Sequence, residues 1–230
     1  MTRMSIWTRI SDALSALGRG ETLSAVFDRL RSPPERGVAF TIAVIALGAK
    51  MAKADGRVTR DEVTAFREVF RIAPEDEAGA ARVFNLARQD TAGYKDYARR
   101  IKRMFGDETG TLCDLLEGLF HISMADGVYH PDEERFLADV ACIFGIAEHD
   151  FRRVRSRFVP DAQPDPYAVL GVSPDMTLGE IRKAWRRQVL ESHPDRMQAR
   201  GVPAEAVKLA ERRLVDLNRA WEEISAERAV

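Results

Sequence analysis

The side chains best placed for chemistry in this sequence belong to two copies of the tripeptide His-Pro-Asp, at 130–132 and 193–195. In each copy an imidazole lies two residues from a carboxylate, and a carboxylate can orient a histidine that acts as a general base. The sequence shows no glycine-rich phosphate loop and no nucleophile motif for such a base, and His121 and His149 lack metal-ligand spacing. We therefore predict that the chain is not an enzyme and uses no cofactor, and that the tripeptides are structural or bind a partner.

The first copy follows the turn residue Gly127 and opens the acidic segment PDEERFL. Pro131 suits the first position of a helix, where its missing N–H is not needed. The carboxylates after it suit the positive end of the helix dipole. A helix start therefore explains this copy, and we assign it no function.

The second copy follows a segment, 177–192, that predicts a helix. Thr177 and Glu180 form a capping box at its start, and an apolar face follows at Leu178, Ile181, Trp185 and Val189. Four cations at i,i+4 spacing repel one another, so the helix gains no stability from them. We predict that they meet an acidic partner surface, and we name them the basic face: Arg182, Lys183, Arg186 and Arg187.

A loop is expected after this helix, because a residue that precedes proline avoids the helical conformation and because Gly201 and Pro203 follow. A long helix then begins near Ala204, with apolar residues at three-four spacing: Val207, Ala210, Leu214, Leu217, Trp221 and Ile224. The two helices predict an antiparallel hairpin. Its loop would present His193 and Asp195 beside the basic face.

Helical periodicity runs through the rest of the chain as well, so we predict an all-α protein. An internal duplication is visible, because Ala-Asp-Gly at 54–56 recurs at 125–127. Each copy predicts a helix, a tight turn and a second helix, with Gly56 and Gly127 in the left-handed conformation. Thr59 and Glu62 form a capping box in the first copy.

The predicted domains are N-terminal amphipathic helices at 1–36, a helical bundle at 37–158, a linker at 159–166 and a C-terminal domain at 167–230. The linker contains three prolines, which prevent a helix. The N-terminal helices contain Trp7 and flanking arginines, so peripheral contact with a membrane is one interpretation. We favour packing against the rest of the bundle.

Composition excludes several classes of function. A formal net charge of -1 gives no general attraction for nucleic acid, and we expect no nucleic-acid partner. The apolar run at 38–49 is shorter than the about 20 residues of a bilayer span, so we expect a core helix, no transmembrane anchor and a cytoplasmic protein. Cys113 and Cys142 form no CxxC pair and are interpreted as buried thiols.

Acidic residues at the two duplicated turns are the candidates for a metal site. Asp55 and Asp126 are followed by further carboxylates, and such groups can bind calcium or magnesium. Arg57 and Thr59 interrupt the alternating oxygens of a calcium loop. Capping explains the same residues, so we predict no metal and keep Asp55 and Asp126 as the candidates.

The C-terminal sequence resembles the J domain of DnaJ-like proteins. Residues 167–172 resemble its short first helix with a Leu-Gly turn, and Asn218, Ala220 and Trp221 match its Asn-x-Ala-aromatic pattern. The loop at 200–203 is similar to that of the DjlA-like subgroup, in which the J domain ends the chain. The repeated Ala-Asp-Gly segment resembles the tellurite-resistance TerB domain that precedes such J domains. Membrane-anchored members of the subgroup begin with a spanning helix, which we do not find in this sequence.

The resemblance implies a co-chaperone that docks on a DnaK-type ATPase chaperone and triggers ATP hydrolysis. By the same resemblance, the basic face would attract the partner, and His193, Pro194 and Asp195 would be the trigger. The TerB-like domain would then provide localisation, binding of an unfolded or specific client, or binding of a ligand. The alternative is a stress-response interaction module, or one that binds divalent metal, in which the J domain is secondary.

Overall fold

The computed structural model describes residue 10 and residues 36–54, 93–159 and 165–228. Every regular element within these ranges is helical, which confirms the all-α class. The first Ala-Asp-Gly turn, the predicted capping box at Thr59 and the candidate ligand Asp55 lie outside the described residues, as does Trp7. Of the predicted N-terminal helices only Ile10 is described, and it is fully buried in the core of the bundle.

The described residues of the front domain form five helices: α1 Arg36–Ala54, α2 Tyr94–Phe105, α3 Thr109–Ser123, α4 Pro131–Phe144 and α5 Glu148–Phe158. The apolar run predicted as a core helix lies in α1, where Val38, Phe40 and Leu47 are all 0% exposed. A helix that is apolar on every side is stable only when it is surrounded. Helices α2, α3 and α4 provide part of that surrounding and pack on α1.

The second duplicated unit has the predicted helix, turn and helix. Helix α3 ends at Ser123, and Gly127 takes a φ of 78° in the turn that follows. Pro131 is the first residue of α4, as its missing N–H predicts. This confirms the second unit.

The C-terminal domain contains four α-helices: α6 Pro166–Leu170, α7 Leu178–Glu191, α8 Pro194–Ala199 and α9 Val207–Glu227. Helices α7 and α9 form the predicted hairpin around a small core that includes Ile181, Leu217 and Ile224. The rings of Trp185 and Trp221 stack across it at 5.2 Å. Helix α8 was expected to be a loop. It forms because Pro194 occupies its first position and the ring of His193 caps it.

A second group of apolar residues in the C-terminal domain belongs to the core of the front domain. The group lies in and around α8 and at the start of α9, and its members are Met197, Val202, Ala206, Leu209 and Ala210. Helix α9 thus packs its first turns on the front domain and its later turns on α7. The two domains therefore share a contact directly behind the His-Pro-Asp helix.

Candidate functional site

The capping box places the basic face at a defined position on α7. The Thr177 hydroxyl accepts the Glu180 N–H at 3.3 Å, and the Glu180 carboxylate accepts the Thr177 N–H at 2.8 Å. The same carboxylate accepts the Thr177 O–H, and these hydrogen bonds hold the pKa of Glu180 below its usual value. At the other end, the Gln188 amide donates to the Leu170 carbonyl at 2.6 Å and ties α7 to α6.

All four members of the basic face are exposed on α7. Within the described ranges none of the four forms an ion pair with a carboxylate. A solvated structural surface ordinarily places acids among its bases. This surface therefore exposes four positive charges without a close ion pair, which suits an acidic partner.

The second His-Pro-Asp begins α8 directly after this face. The His193 Nδ1 accepts the backbone N–H of Asp195 at 3.2 Å, so the proton of the neutral ring lies on Nε2. The side chains of His193 and Asp195 are 56% and 86% exposed. The motif therefore presents an N–H donor and a carboxylate to solvent on a short, capped helix.

The first His-Pro-Asp also begins a helix, but its surroundings differ. The His130 N–H donates to the Glu133 carboxylate at 2.9 Å, and Glu133 is only 5% exposed. The ring of His130 lies 3.7 Å from Asp126, whose other oxygen accepts the Val128 N–H at 2.9 Å. Carboxylates surround this copy, and each contact serves the turn or the helix start.

The metal candidates gain no support from these contacts. Both oxygens of Asp126 already contact groups of its own turn. In the part of the chain that the structure describes, no group of three or more His, Cys, Asp or Glu side chains is arranged to hold a metal ion. Asp55 lies outside that part.

A buried group of ionised side chains behind α8 was not predicted. It joins α3 and α5 of the front domain to the C-terminal domain, and we name it the ion cluster: Asp114, Glu117, Arg157, Arg200 and Arg213. The side chains of Asp114 and Glu117 are 1% and 2% exposed. The sequence feature that could have indicated them is a pair of acids at i,i+3 in an otherwise apolar helix, because that spacing places both acids on one buried side.

The ion cluster is held by paired hydrogen bonds. Arg157 donates to both oxygens of Glu117, at 3.3 and 2.8 Å, and Arg213 donates to Glu117 at 2.8 Å and to Asp114 at 2.6 Å. Burial alone would raise the pKa of Glu117, but the guanidinium groups of Arg157 and Arg213 outweigh it and lower that pKa. Likewise, burial opposes the charge of Arg213, but Glu117 and Asp114 raise its pKa. For Arg157, burial outweighs Glu117 and lowers the pKa. The pairing therefore favours the charged forms of Glu117 and Arg213 most strongly.

Comparisons with known proteins fit this architecture. A family model described as tellurite resistance protein TerB matches residues 41–156, and a DnaJ domain model matches residues 165–229. A co-chaperone protein DjlA from Coxiella burnetii is 27% identical over 200 residues, covering 78% of this chain and 74% of that protein. A co-chaperone protein DjlA from Vibrio cholerae is 26% identical over 251 residues, covering 95% of this chain and 88% of that protein. No solved structure is significantly similar.

The prediction of a cytoplasmic location is wrong by this comparison. The matched relatives are DjlA proteins, and this subgroup includes membrane-anchored members. Among the helices that the structure describes, none is both long and apolar enough to cross a bilayer.

Proposed function

Because the chain belongs to the TerB family and is a DjlA-like J-domain co-chaperone, we propose that its C-terminal domain docks on a DnaK-type chaperone and stimulates ATP hydrolysis. In this chain the TerB domain is followed by a DnaJ domain. The observation that carries the proposal is the exposed His-Pro-Asp helix that follows an unpaired basic face. The chain performs no chemistry itself under this proposal, since the partner holds the nucleotide.

The roles of the residues follow from their exposure. The basic face, Arg182, Lys183, Arg186 and Arg187, draws the partner in and sets the association rate, as exposed charges do. The carboxylate of Asp195 pairs with a cation that docking buries, so its loss leaves that cation unpaired. Pro194 and the cap from His193 restrict the helix start, and less conformational entropy is then lost on docking.

The front domain has a separate part in the proposal. It provides localisation, client binding or ligand binding, while the C-terminal domain engages the ATPase. Its contribution to client choice is measured by pull-down with the intact chain and with Asp195→Asn. Proteins retained by the variant bind outside the trigger, and proteins lost from it depend on the ATPase partner.

A single-turnover ATPase assay with a purified DnaK-type chaperone tests the trigger. We expect His193→Gln and Asp195→Asn to reduce stimulation to the basal rate without changing the circular dichroism spectrum. His193→Asn is the sharper variant, because asparagine is a strong helix N-cap and keeps the cap while removing the imidazole.

The chain provides a matched control in its other copy of the tripeptide. His130→Gln and Asp132→Asn make the same changes at a helix start of the same sequence, and we expect stimulation to persist in both. Persistent stimulation in Asp195→Asn would show the proposal to be wrong. So would equal losses at the two sites.

A further inference from the structure

The segment that joins α8 to α9 packs on the front domain. Val202 is 3% exposed and Met197 is 2% exposed, and both belong to the core of that domain. Pro203 lies against Gly37 of α1, where an added Cβ would come within 3.5 Å of the proline ring. Residues 200–203, which we name the connecting loop, therefore form an interdomain contact.

Arg200 joins three elements within this contact. Its Nη2 donates to Asp114 of α3 at 2.9 Å, and its Nη1 donates to the Glu191 carbonyl at the end of α7 at 3.1 Å. The carbonyl of Arg200 accepts the Thr111 hydroxyl at 3.1 Å. Arg200 directly follows α8, which has only 6 residues. These bonds therefore fix the orientation of the tripeptide at the other end of that helix.

The front domain holds α8 without covering the groups assigned to docking. His193 and Asp195 remain more than half exposed, and all four members of the basic face are exposed. An inhibitory contact would bury these groups. The contact therefore orders the helix and leaves the docking surface accessible.

Resting on the proposed function, we propose that Arg200 is a positioning residue through which Asp114 of the front domain holds the His-Pro-Asp helix in its docking orientation. The front domain is then part of the trigger's support as well as a module for localisation or clients. A helix that is already ordered loses less entropy when the partner binds. Loss of the contact should therefore weaken docking while the trigger groups remain intact.

The test is stimulation of a DnaK-type chaperone by the full chain, measured against co-chaperone concentration. We expect Arg200→Gln to raise the half-saturating concentration about three- to tenfold, the scale of ordering one or two long side chains, with the maximal rate unchanged. Arg200→Lys keeps a charge opposite Asp114 and should restore part of the loss. Asp114→Asn should act in the same direction as Arg200→Gln.

Arg219→Gln is the matched control, because Arg219 lies on α9 with 73% of its side chain exposed and pairs only with Glu223 in the described residues. It should leave the concentration dependence unchanged. Hydrogen exchange of residues 194–202 in the full chain gives a second measurement. Exchange should be faster in Arg200→Gln than in the wild-type chain and in Arg219→Gln.

Two outcomes would overturn the proposal: unchanged half-saturation and exchange in Arg200→Gln, or a lower maximal rate at unchanged half-saturation. The second outcome would place Arg200 in the trigger itself. Asp195→Asn separates this inference from the proposed function, because it should remove stimulation at every concentration. If Asp195→Asn stimulates like the wild-type chain, the proposed function fails, and the exchange comparison still decides whether Arg200 orders the helix.

Discussion

Glu117→Gln should destabilise the protein far more than any change of an exposed carboxylate. Glu117 is 2% exposed and accepts hydrogen bonds from Arg157 and Arg213. Glutamine keeps the shape of the side chain and removes its charge. Arg213 retains Asp114 as a partner, so the loss falls mainly on Arg157, which is 5% exposed.

The magnitude follows from an arginine left buried without its carboxylate. Removal of one partner from a buried ion pair typically costs about 3–5 kcal/mol of folding free energy. Burial lowers the pKa of Arg157, and the charge of Asp216 opposes that shift and so offsets part of the loss. We therefore expect the lower end of the range, about 3 kcal/mol.

Urea unfolding followed by circular dichroism at pH 7 measures this difference. The control is Glu223→Gln, which removes an exposed i,i+4 pair with Arg219 and should cost about 0.5 kcal/mol or less. If Glu117→Gln costs no more than its control, the ion cluster does not contribute to stability as argued.

The pH dependence gives an independent check. The pKa of Glu117 is lowered from its ordinary 4.5 in the folded chain. The stabilisation from its charge is therefore complete above pH 4.5 and lost as the pH falls through the folded-state pKa. The difference between wild type and Glu117→Gln should be constant at higher pH and shrink in acid. A difference that grows on acidification would refute the assignment.

Further outcomes test other parts of the molecule. Neutralising Arg186 and Arg187 should raise the half-saturating concentration in the ATPase assay severalfold at low salt. The rise should be small at about 1 M salt, where the screening length is about 3 Å; an equal rise at both salt concentrations would exclude electrostatic attraction. The interpretation of both cysteines as buried thiols is wrong for Cys142, which is exposed. Cys142 should react with a thiol reagent before Cys113, whose pKa burial raises to about 11; labelling of Cys113 in the Cys142→Ser chain as fast as labelling of the wild-type chain would contradict this burial. Trp185→Phe removes the indole hydrogen bond to Asn218 and should cost about 1 kcal/mol in thermal unfolding, and no shift of the midpoint would show that this bond contributes nothing.

Features fixed by local sequence were the most predictable. The start of α7 follows from Thr177 and Glu180, because a capping box needs only residues three positions apart. Its charged and apolar sides follow from helical periodicity. The left-handed turn at residue 127 follows from Gly127, because glycine adopts a positive φ without strain. Each of these depends on neighbours within one or two helical turns.

The ion cluster could not be predicted in the same way. Asp114 and Arg213 are 99 residues apart in the chain, and the pairing depends on how the two domains pack. The single stripe predicted for α9 omitted Leu209, which is 1% exposed and lies in the core of the front domain. A helix that packs on different neighbours along its length requires two stripes. The periodicity of the sequence does not show which apolar residues belong to which stripe.

The two tripeptides show that local conformation does not determine which copy can engage a partner. Both place proline at the first position of a helix with histidine before it, so the backbone alone does not distinguish them. At 130–132 the ring of His130 faces Asp126, and buried Glu133 binds the backbone of His130. At 193–195 the motif is exposed beside four unpaired cations. An acidic partner is repelled by the first environment and attracted by the second. The charge of the neighbouring side chains, rather than the backbone of the tripeptide, therefore distinguishes the two copies.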